Sequence, residues 1–588
     1  MSLPRGVRLA APFLIAIVLL APGLSAPFAK DAEPQSAQWI ADIVDHGHWL
    51  LPVDYYGFVN RKPPLYYWLS ALASDLSGKP VDETRARLVS LIAGAALATI
   101  VFDWTAALLG AATGWLAFAF LLGSYGFASR ATTALTDMLM TTLLFAIWCA
   151  IFPALDDSPS WSGTLVAGVL LGLAILTKGP VVVVILGLAL VLYLLMVRRN
   201  PFELARRRWP WAMLALAVAI AAAWYVPALA AHRGNEVAAL FVSENFGHFM
   251  PSSMGGTGEA ARPFYYIVMR LWGGMLPLSI LFPALVAACV RSDFDPAARA
   301  PLRFQLAMAL AVLLLFSAAN AKRDDYILPA IPSLAILLAA LFTHLRTDSK
   351  RRAITRCLRD LTTVTIAAAM AIGIIFAIIA ATSLLSPNAG DHAWLTRLQS
   401  SDASYAAIFV AGIAHWRWPF VAFEAAVLAG AVTVIVGLQR RTPLVAGIGL
   451  AITTLAASLL WTAVVRPAEM RTRSLVDFAP AVRMRIGSAP VYVAYFDPEF
   501  AWYYGREAPP LPHAIARRGA PSRDPVYLVA RPRELLRLAP QVRASLQVLM
   551  RADLSGGGGT PALYEIPQIT APPDLKPPRK RLSNHWAN

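Results

Sequence analysis

The chain has 588 residues, of which 57% are hydrophobic and 15% are charged. This composition excludes an ordinary soluble domain and predicts a polytopic α-helical membrane protein embedded in a lipid bilayer. The formal net charge of +16 is explained first by cytoplasmic loops and anionic lipid, and no basic, aromatic-rich module suggests nucleic-acid binding. The three cysteines lie in apolar or basic segments and suggest neither a disulfide framework nor a metal cluster.

About thirteen apolar segments are long enough to cross a bilayer, which takes roughly 17–25 residues each. The first follows Arg5 and Arg8 and is interpreted as an uncleaved helix, because it is long enough to span. The segments lie near 7–27, 86–109, 111–127, 134–153, 162–177, 179–197, 210–231, 265–289, 302–319, 326–345, 360–385, 419–438 and 443–465.

The distribution of charge predicts the orientation of these segments. If the amino terminus is cytoplasmic, the loops richest in Lys and Arg fall on the cytoplasmic side, as the positive-inside rule requires. Those loops are 198–208, 291–303, 344–360 and 439–441. An odd number of crossings then places the tail, 466–588, on the outer side of the membrane.

The predicted domains follow from this orientation. Residues 1–465 form the transmembrane domain, and 28–85 is its first periplasmic loop. Strand-like PVYVAY (490–495) and PVYLVA (525–530) predict a small periplasmic α/β domain over 466–570. The basic end, 571–588, is predicted to be disordered.

The first loop contains a helical pattern of its own. Trp39, Ile40 and Ile43 recur at helical spacing, and Gln38 and Asp42 occupy the opposite face. Asp45 also lies on that face, and the pattern predicts an interfacial helix that lies on the bilayer.

A second part of this loop, Gly57–Trp68, combines two adjacent cations with a double proline. Arg61 and Lys62 are disfavoured in hydrocarbon, and the prolines stiffen the backbone that follows. One interpretation is a rigid cationic loop that binds an anionic lipid headgroup. The other is an ordinary positively charged flank of a membrane helix.

Six motifs occur in an order that resembles polyprenyl-phosphate-sugar-dependent glycosyltransferases, in particular the bacterial aminoarabinose-transferase branch related to the protein O-mannosyltransferases. The resemblance covers roughly residues 30–335. The motifs are GHWLLP (47–52), KPPLYYW (62–68), TTALTDMLMT (132–141), TKGP (177–180), ENFGHF (244–249) and KRDDYILPAIP (322–332). It implies a GT-C fold, a catalytic centre beneath the first periplasmic loop and a sugar donor on a lipid-linked phosphate such as undecaprenyl phosphate. The acceptor would be a lipid, a glycan or a protein.

The resemblance also implies residue roles. A departing phosphate requires preplaced cations, for which Lys62, Arg61, Lys322 and Arg323 are the candidates. A membrane-flanking cation is the alternative for Lys322, but its turn faces outward, where the positive-inside rule gives cations no reason to gather. Tyr326 is a candidate hydrogen-bond donor to the phosphate, and an interfacial tyrosine is the alternative.

A carboxylate is needed to activate the acceptor or orient the sugar. The family carries Asp-Glu at the start of its first-loop helix, where this chain has Ala32 and Glu33 in gap-free register. Either Asp31 serves after a one-residue shift or Glu33 takes the role. Asp137, in the Thr-Asp-Met element at a helix end, is a cleaner match.

Three further residues are assigned to the substrate. Glu244 and Asn245 match an outward Glu-Asn element of the family and are expected to shape the loop or contact sugar hydroxyls, with a solvated loop charge as the alternative for Glu244. Tyr66, in the aromatic run after the prolines, is assigned to substrate contact.

Two departures from the family bear on metal binding. Arg61 replaces a glutamate, and a histidine expected in 256–264 is missing, so we predict no metal and no cofactor. His46 and His48 are expected to line the loop surface. A transporter or flippase of lipid-linked substrates remains the alternative function, although no internal repeat is visible.

Overall fold

The computed structural model describes residues 5–567, apart from 30–31, 61, 156–159, 232, 234, 237, 240–241, 243–261, 346–359, 362, 365–416, 519–525 and 553–559. Predictions for Asp31, Arg61, Glu244, Asn245 and the basic tail therefore fall outside the described residues.

Apolar helices dominate the first 465 residues. The helices of eight or more residues in this part are Arg5–Leu20, Glu33–His46, Leu65–Ser77, Glu83–Leu109, Ala111–Leu122, Asp137–Ile151, Trp161–Lys178, Val181–Met196, Arg208–Ala230, Tyr266–Gly274, Phe282–Val290, Arg299–Ala318, Ile331–Thr343, Arg417–Gln439 and Pro443–Leu460. Shorter helical turns lie at Tyr125–Ala131, Pro153–Leu155, Pro201–Ala205, Leu278–Leu281, Pro296–Ala298, Asp324–Ala330 and Trp461–Val465.

Within the described part of the chain, seven helices are long and apolar enough to cross a membrane, and up to nine if each of two bent pairs counts as one span. Three shorter apolar helices add to these, at Leu9–Leu20, Asp137–Ile151 and Val181–Met196. These helices fall on the predicted apolar segments, which confirms a polytopic helical membrane protein. The number thirteen stays a prediction, because the segment at 360–385 lies almost entirely outside the described residues.

Local sequence explains where several of these helices begin and end. The Asp82 side chain accepts a hydrogen bond from the Arg85 backbone N–H at 2.8 Å and caps Glu83–Leu109. Ser160 caps Trp161–Lys178 in the same way, through the Gly163 N–H at 3.1 Å. Between the helices, large side chains fill the core, and the Trp148 and Phe304 rings stack with their centroids 3.7 Å apart.

The first-loop helix Glu33–His46 forms as predicted, and two of its polar side chains, Gln38 and Asp42, are buried. Gln38 is fully buried and accepts a hydrogen bond from the Tyr55 N–H at 3.0 Å. Asp42 is also buried and accepts from the Val53 N–H at 2.8 Å. The following residues of the loop fold back over this part of the helix and satisfy both side chains, while Asp45 stays exposed.

After the last membrane helix, the chain forms helices and a small sheet. Helices lie at Arg466–Arg473, Phe478–Ile486, Pro498–Tyr504, His513–Arg518 and Pro540–Ser545, with a 3-10 turn at Glu534–Arg537. The strands are β1 (Val491–Val493), β2 (Val526–Ala530), β3 (Gln547–Arg551) and β4 (Ala562–Ile566), in the order β1-β2-β4-β3. β1 pairs with β2 in parallel, and the other two pairs are antiparallel. The first two strands lie within the two predicted strand segments.

This carboxy-terminal part packs directly on the first loop. The Tyr503 hydroxyl accepts a hydrogen bond from the Phe28 N–H at 2.7 Å and donates to the Glu83 carboxylate at 2.8 Å. The Gln38 side-chain amide donates to the Pro498 carbonyl at 2.8 Å. The first loop is therefore enclosed between the membrane helices and the carboxy-terminal part.

Candidate active site

Asp137 is the centre of the candidate site. It is the first residue of the helix Asp137–Ile151, is buried and forms an ion pair with Lys178, the last residue of Trp161–Lys178. These helices run antiparallel, so a helix start and a helix end meet next to the first loop. The charges of Lys62 and Arg323 also act on the Asp137 carboxylate. The structure thus brings three predicted site residues together, Lys62, Asp137 and Arg323.

Lys178 is a residue of this site that sequence reasoning missed. Its ammonium lies beside Asp137 and 5.5 Å from the centroid of the Tyr326 ring, a cation–π distance. Tyr326 in turn stacks on Phe316, with ring centroids 4.4 Å apart. The sequence offered one indication of this role, because Lys178 is the lysine of the TKGP motif. A lysine at the end of an apolar helix is, however, also typical of an ordinary residue at the edge of a membrane-spanning segment.

Lys62 is presented by the stiff loop that the double proline predicts. Its backbone N–H donates to the Asn60 side-chain oxygen at 3.0 Å, and the helix Leu65–Ser77 starts directly after Pro63 and Pro64. An Asx turn followed by two residues of fixed φ leaves the backbone little freedom. The Lys62 side chain is half-buried.

The turn before Tyr326 adds further charges to this end of the bundle. Asp325 pairs with Arg130 at 2.7 Å and lies 3.9 Å from Arg323. Asp324 of the same turn pairs with Arg270. Three carboxylates at this end of the bundle are therefore under the charge of five cations, which are Lys62, Lys178, Arg130, Arg270 and Arg323. An excess of cations in a partly buried site favours an anionic ligand.

Lys322 has different surroundings from the other candidate cations. It is buried, and its ammonium donates to the Arg262 carbonyl at 2.9 Å and to the Ala319 carbonyl. Burial lowers the pKa of Lys322 below its ordinary value. These contacts favour a role in holding the turn, and contact with a phosphate stays a prediction.

Glu33 takes part in a buried ion pair. Its carboxylate oxygens lie 2.8 and 3.1 Å from the Arg87 guanidinium, and one of them accepts the Ala134 N–H at 2.6 Å. Burial raises the pKa of Glu33, but the charge and hydrogen bonds of Arg87 outweigh it and hold the pKa below its usual value. The side chain is 1% exposed, so this geometry favours a structural role beside Asp137.

Tyr66 is likewise in the interior. Its side chain is fully buried, and its hydroxyl donates to the Ala86 carbonyl at 2.7 Å and lies 3.2 Å from the Ser90 hydroxyl. The contacts therefore favour packing of the first loop on the membrane helix Glu83–Leu109.

The two histidines of the first loop lie at its surface, as predicted. Their side chains are 65% and 54% exposed for His46 and His48, and both rings lie within hydrogen-bond distance of Asp42. Across the described ranges, no group of three or more His, Cys, Asp or Glu side chains is arranged to hold a metal ion.

Comparisons with known proteins indicate the class of protein to which this chain is similar. A family model described as "Dolichyl-phosphate-mannose-protein mannosyltransferase" matches residues 61–226, which include Lys62, Asp137 and Lys178. The chain is 27% identical over 339 residues to the undecaprenyl phosphate-alpha-4-amino-4-deoxy-L-arabinose arabinosyl transferase of Shewanella sediminis, and 28% identical over 356 residues to that of Aeromonas salmonicida. These matches cover 56% and 58% of this chain, and 58% and 61% of the two relatives, so the chain spans less than two thirds of their length.

The fold has a solved counterpart along nearly its whole length. The crystal structure of ArnT from Cupriavidus metallidurans in the apo state superposes with a TM-score of 0.66 at 20% identity, and covers 95% of this chain and 97% of that one. The structure of the same protein bound to undecaprenyl phosphate gives a TM-score of 0.65. The chain is therefore a polytopic helical membrane protein of the GT-C fold. It is similar in particular to the bacterial arabinosyl transferases named above, which confirms the resemblance inferred from the motifs.

Proposed function

We propose that this protein is a membrane glycosyltransferase that moves a sugar from a polyprenyl-phosphate donor to an acceptor outside the cytoplasm. The observation that carries the proposal is the buried Asp137 carboxylate, paired with Lys178 and under the charge of Lys62 and Arg323. A carboxylate with an excess of surrounding cations suits a reaction that releases an anionic phosphate. The similarity to arabinosyl transferases and to a mannosyltransferase family supports the same reaction class.

The reaction is a displacement at the anomeric carbon of the donor sugar. An acceptor oxygen forms a bond to that carbon, and the bond between the carbon and the donor phosphate oxygen breaks. The electron pair of the broken bond remains on the polyprenyl phosphate, whose charge Lys62 and Arg323 stabilise. Because these cations are held in place by packed loops, little reorganisation is needed as the charge develops.

Asp137 is proposed to act on a hydroxyl group. A carboxylate at this position accepts a hydrogen bond from a sugar hydroxyl, or takes the proton of an acceptor hydroxyl as the new bond forms. Lys178 keeps the carboxylate charged and oriented. Tyr326, beside Lys178, is proposed to donate to the phosphate, and Glu244 and Asn245 to contact the sugar.

The proposal extends to location and partners. The candidate site and the carboxy-terminal α/β part would face the periplasm of a bacterial inner membrane, with an acceptor that is a lipid such as lipid A, a glycan or a protein. A reporter fused after residue 570 is expected to be active in the periplasm, and a reporter that is active only in the cytoplasm would contradict this orientation.

Purified protein in vesicles tests the activity. With an undecaprenyl-phosphate-linked aminoarabinose donor and lipid A as acceptor, product is detected by mass spectrometry. Asp137→Asn is expected to abolish product and Lys62→Ala to reduce it strongly at low donor concentration, whereas Lys79→Ala, an exposed lysine of the same loop, should leave it unchanged. Movement of the donor lipid between leaflets without any product would instead support the flippase alternative.

The sugar and the acceptor can be found without choosing them in advance. Lipid and glycan mass spectrometry of a strain that lacks the gene should show the loss of one sugar mass from one class of envelope molecule. Restoration by the wild-type gene, but not by the Asp137→Asn gene, would assign that sugar to this site. An unchanged envelope would contradict the proposal.

A further inference from the structure

Beyond the residues that surround Asp137, one buried arginine contacts the turn that precedes it. We infer that Arg466 is a positioning residue for the transfer reaction, acting on Asp137 through Thr132 and Thr133. The inference rests on the proposed function of Asp137. Arg466 lies outside the residues matched by the family model and begins the helix Arg466–Arg473.

Arg466 makes three hydrogen bonds to this turn. Its guanidinium donates to the Ser129 carbonyl at 2.6 Å, to the Thr132 hydroxyl and to the Thr133 hydroxyl at 2.8 Å. The Thr133 hydroxyl in turn donates to the Ser129 carbonyl at 2.8 Å. The hydroxyl therefore accepts from the arginine and donates to a carbonyl, as a hydroxyl group can. One side chain thus links both threonines and the end of the preceding helix.

The turn depends on such long-range contacts for its shape. Thr136 precedes Asp137 as the N-cap residue, but its side chain makes no capping hydrogen bond. The Thr133 carbonyl accepts the Ser90 hydroxyl at 2.6 Å, and the Ala134 N–H donates to Glu33. With no side-chain cap at Thr136, these distant contacts hold the segment that leads to Asp137, while Lys178 pairs with the carboxylate itself. Arg466 contributes three of them, to Ser129, Thr132 and Thr133.

Ion pairing does not account for Arg466. Its side chain is 9% exposed. The charge of Glu33 acts on it from a distance, but Glu33 is paired with Arg87, and among the described residues no carboxylate forms an ion pair with Arg466 within 4 Å. A buried guanidinium without a carboxylate in contact is costly unless its donors are satisfied. The planar fork of arginine reaches three separate oxygens at once, whereas a lysine ammonium on a flexible stem cannot hold the same geometry.

The test compares Arg466→Lys with Arg473→Lys in the vesicle assay. Both variants keep the charge on the same helix, but Arg473 is partly exposed and pairs with Glu469 at 2.9 Å. For Arg466→Lys we expect kcat to fall about 100-fold, the loss expected from a small misplacement of a catalytic group. The donor KM and the fraction of protein that binds undecaprenyl phosphate should stay within twofold of wild type, and Arg473→Lys should match wild type throughout.

Two further variants keep the inference testable if Arg466→Lys is unstable. Thr133→Val removes one acceptor while leaving the arginine, and should lower kcat without changing the donor KM. In the double variant Arg466→Lys/Thr133→Val, the decrease in kcat should be smaller than the two single decreases combined, because both substitutions remove the same hydrogen bond between Arg466 and Thr133.

The possible results separate the inference from the proposed function. If the wild type transfers no sugar, the proposed function fails and the inference fails with it. If the wild type is active and Arg466→Lys has the same kcat, only the inference is overturned. A rise in donor KM at unchanged kcat would also overturn it, because Arg466 would then act on donor binding.

Discussion

Asp137 and Lys178 form an ion pair that joins the first residue of one apolar helix to the last residue of the next. Both side chains are largely buried, so each charge depends on the other for compensation. The pair therefore connects the stability of the helical bundle to the chemistry of the candidate site, and the two effects can be separated by mutation.

Replacement of both partners should restore stability without restoring activity. Asp137→Asn leaves Lys178 unpaired and is expected to cost about 3 kcal/mol of stability. The double variant Asp137→Asn/Lys178→Met should recover most of this loss while its transfer rate stays at least about 100-fold below wild type. Thermal unfolding in detergent and the vesicle assay measure the two quantities. A double variant that transfers sugar at the wild-type rate would remove Asp137 from the mechanism.

Lys62 should act mainly on the donor. Loss of a charged hydrogen bond to the phosphate is worth about 1.5–3 kcal/mol, so Lys62→Ala should raise the donor KM by about 10- to 100-fold. Lys62→Arg keeps the charge and should be less impaired. The control is Lys79→Ala, and an equal effect of both alanine variants would show that the loop charge acts only at long range.

Glu33 should make stability depend on pH. Because its pKa is lowered in the folded protein, its contribution is complete above the ordinary glutamate pKa of about 4.3 and is lost as the pH falls below that value. Glu33→Gln should therefore lower the Tm at pH 7, and the difference from wild type should shrink towards pH 3. The measurement is Tm against pH for both proteins. A constant difference would mean that the charge of Glu33 is not the stabilising feature.

Tyr66→Phe distinguishes packing from substrate contact. The hydroxyl is satisfied by Ala86 and Ser90, so its removal should cost about 1 kcal/mol of stability and leave the donor KM unchanged. Thermal unfolding and steady-state kinetics measure these effects. A several-fold rise in KM at unchanged Tm would instead support the substrate contact expected from the sequence.

The membrane helices could be predicted because hydropathy and length depend only on local sequence. Asp137 and Lys62 could be named as candidates because they lie in motifs of the family resemblance and are of the residue types that the reaction needs, a carboxylate and a cation near a phosphate. Lys178 could not be separated from a flanking lysine in this way. Its role follows from the antiparallel packing of two helices, which no local pattern reports.

Other differences have the same origin. The burial of Gln38 and Asp42 could not be predicted, because amphipathic spacing does not report a second covering layer, here supplied by Tyr55, Val53 and Pro498. The two carbonyl partners of Lys322 could not be predicted either, because the tertiary fold brings them to its ammonium group. Arg466 drew no notice, because its partners precede it by more than 300 residues.

The Tyr503 hydroxyl hydrogen-bonds to both the Phe28 N–H and the Glu83 carboxylate. These two contacts limit how hybrids of this protein with its relatives can be built. A chimera with a single junction at residue 466 would combine the carboxy-terminal part of a relative with the first loop of this protein. It would lose the two hydrogen bonds of the Tyr503 hydroxyl wherever the relative has another residue at that position. Hybrids that swap residues 28–85 together with the stretch from 466 onward keep both of these hydrogen bonds. Such hybrids must also supply matching partners for Glu33 and Arg466, whose contacts Arg87, Ser129, Thr132 and Thr133 lie between the two pieces.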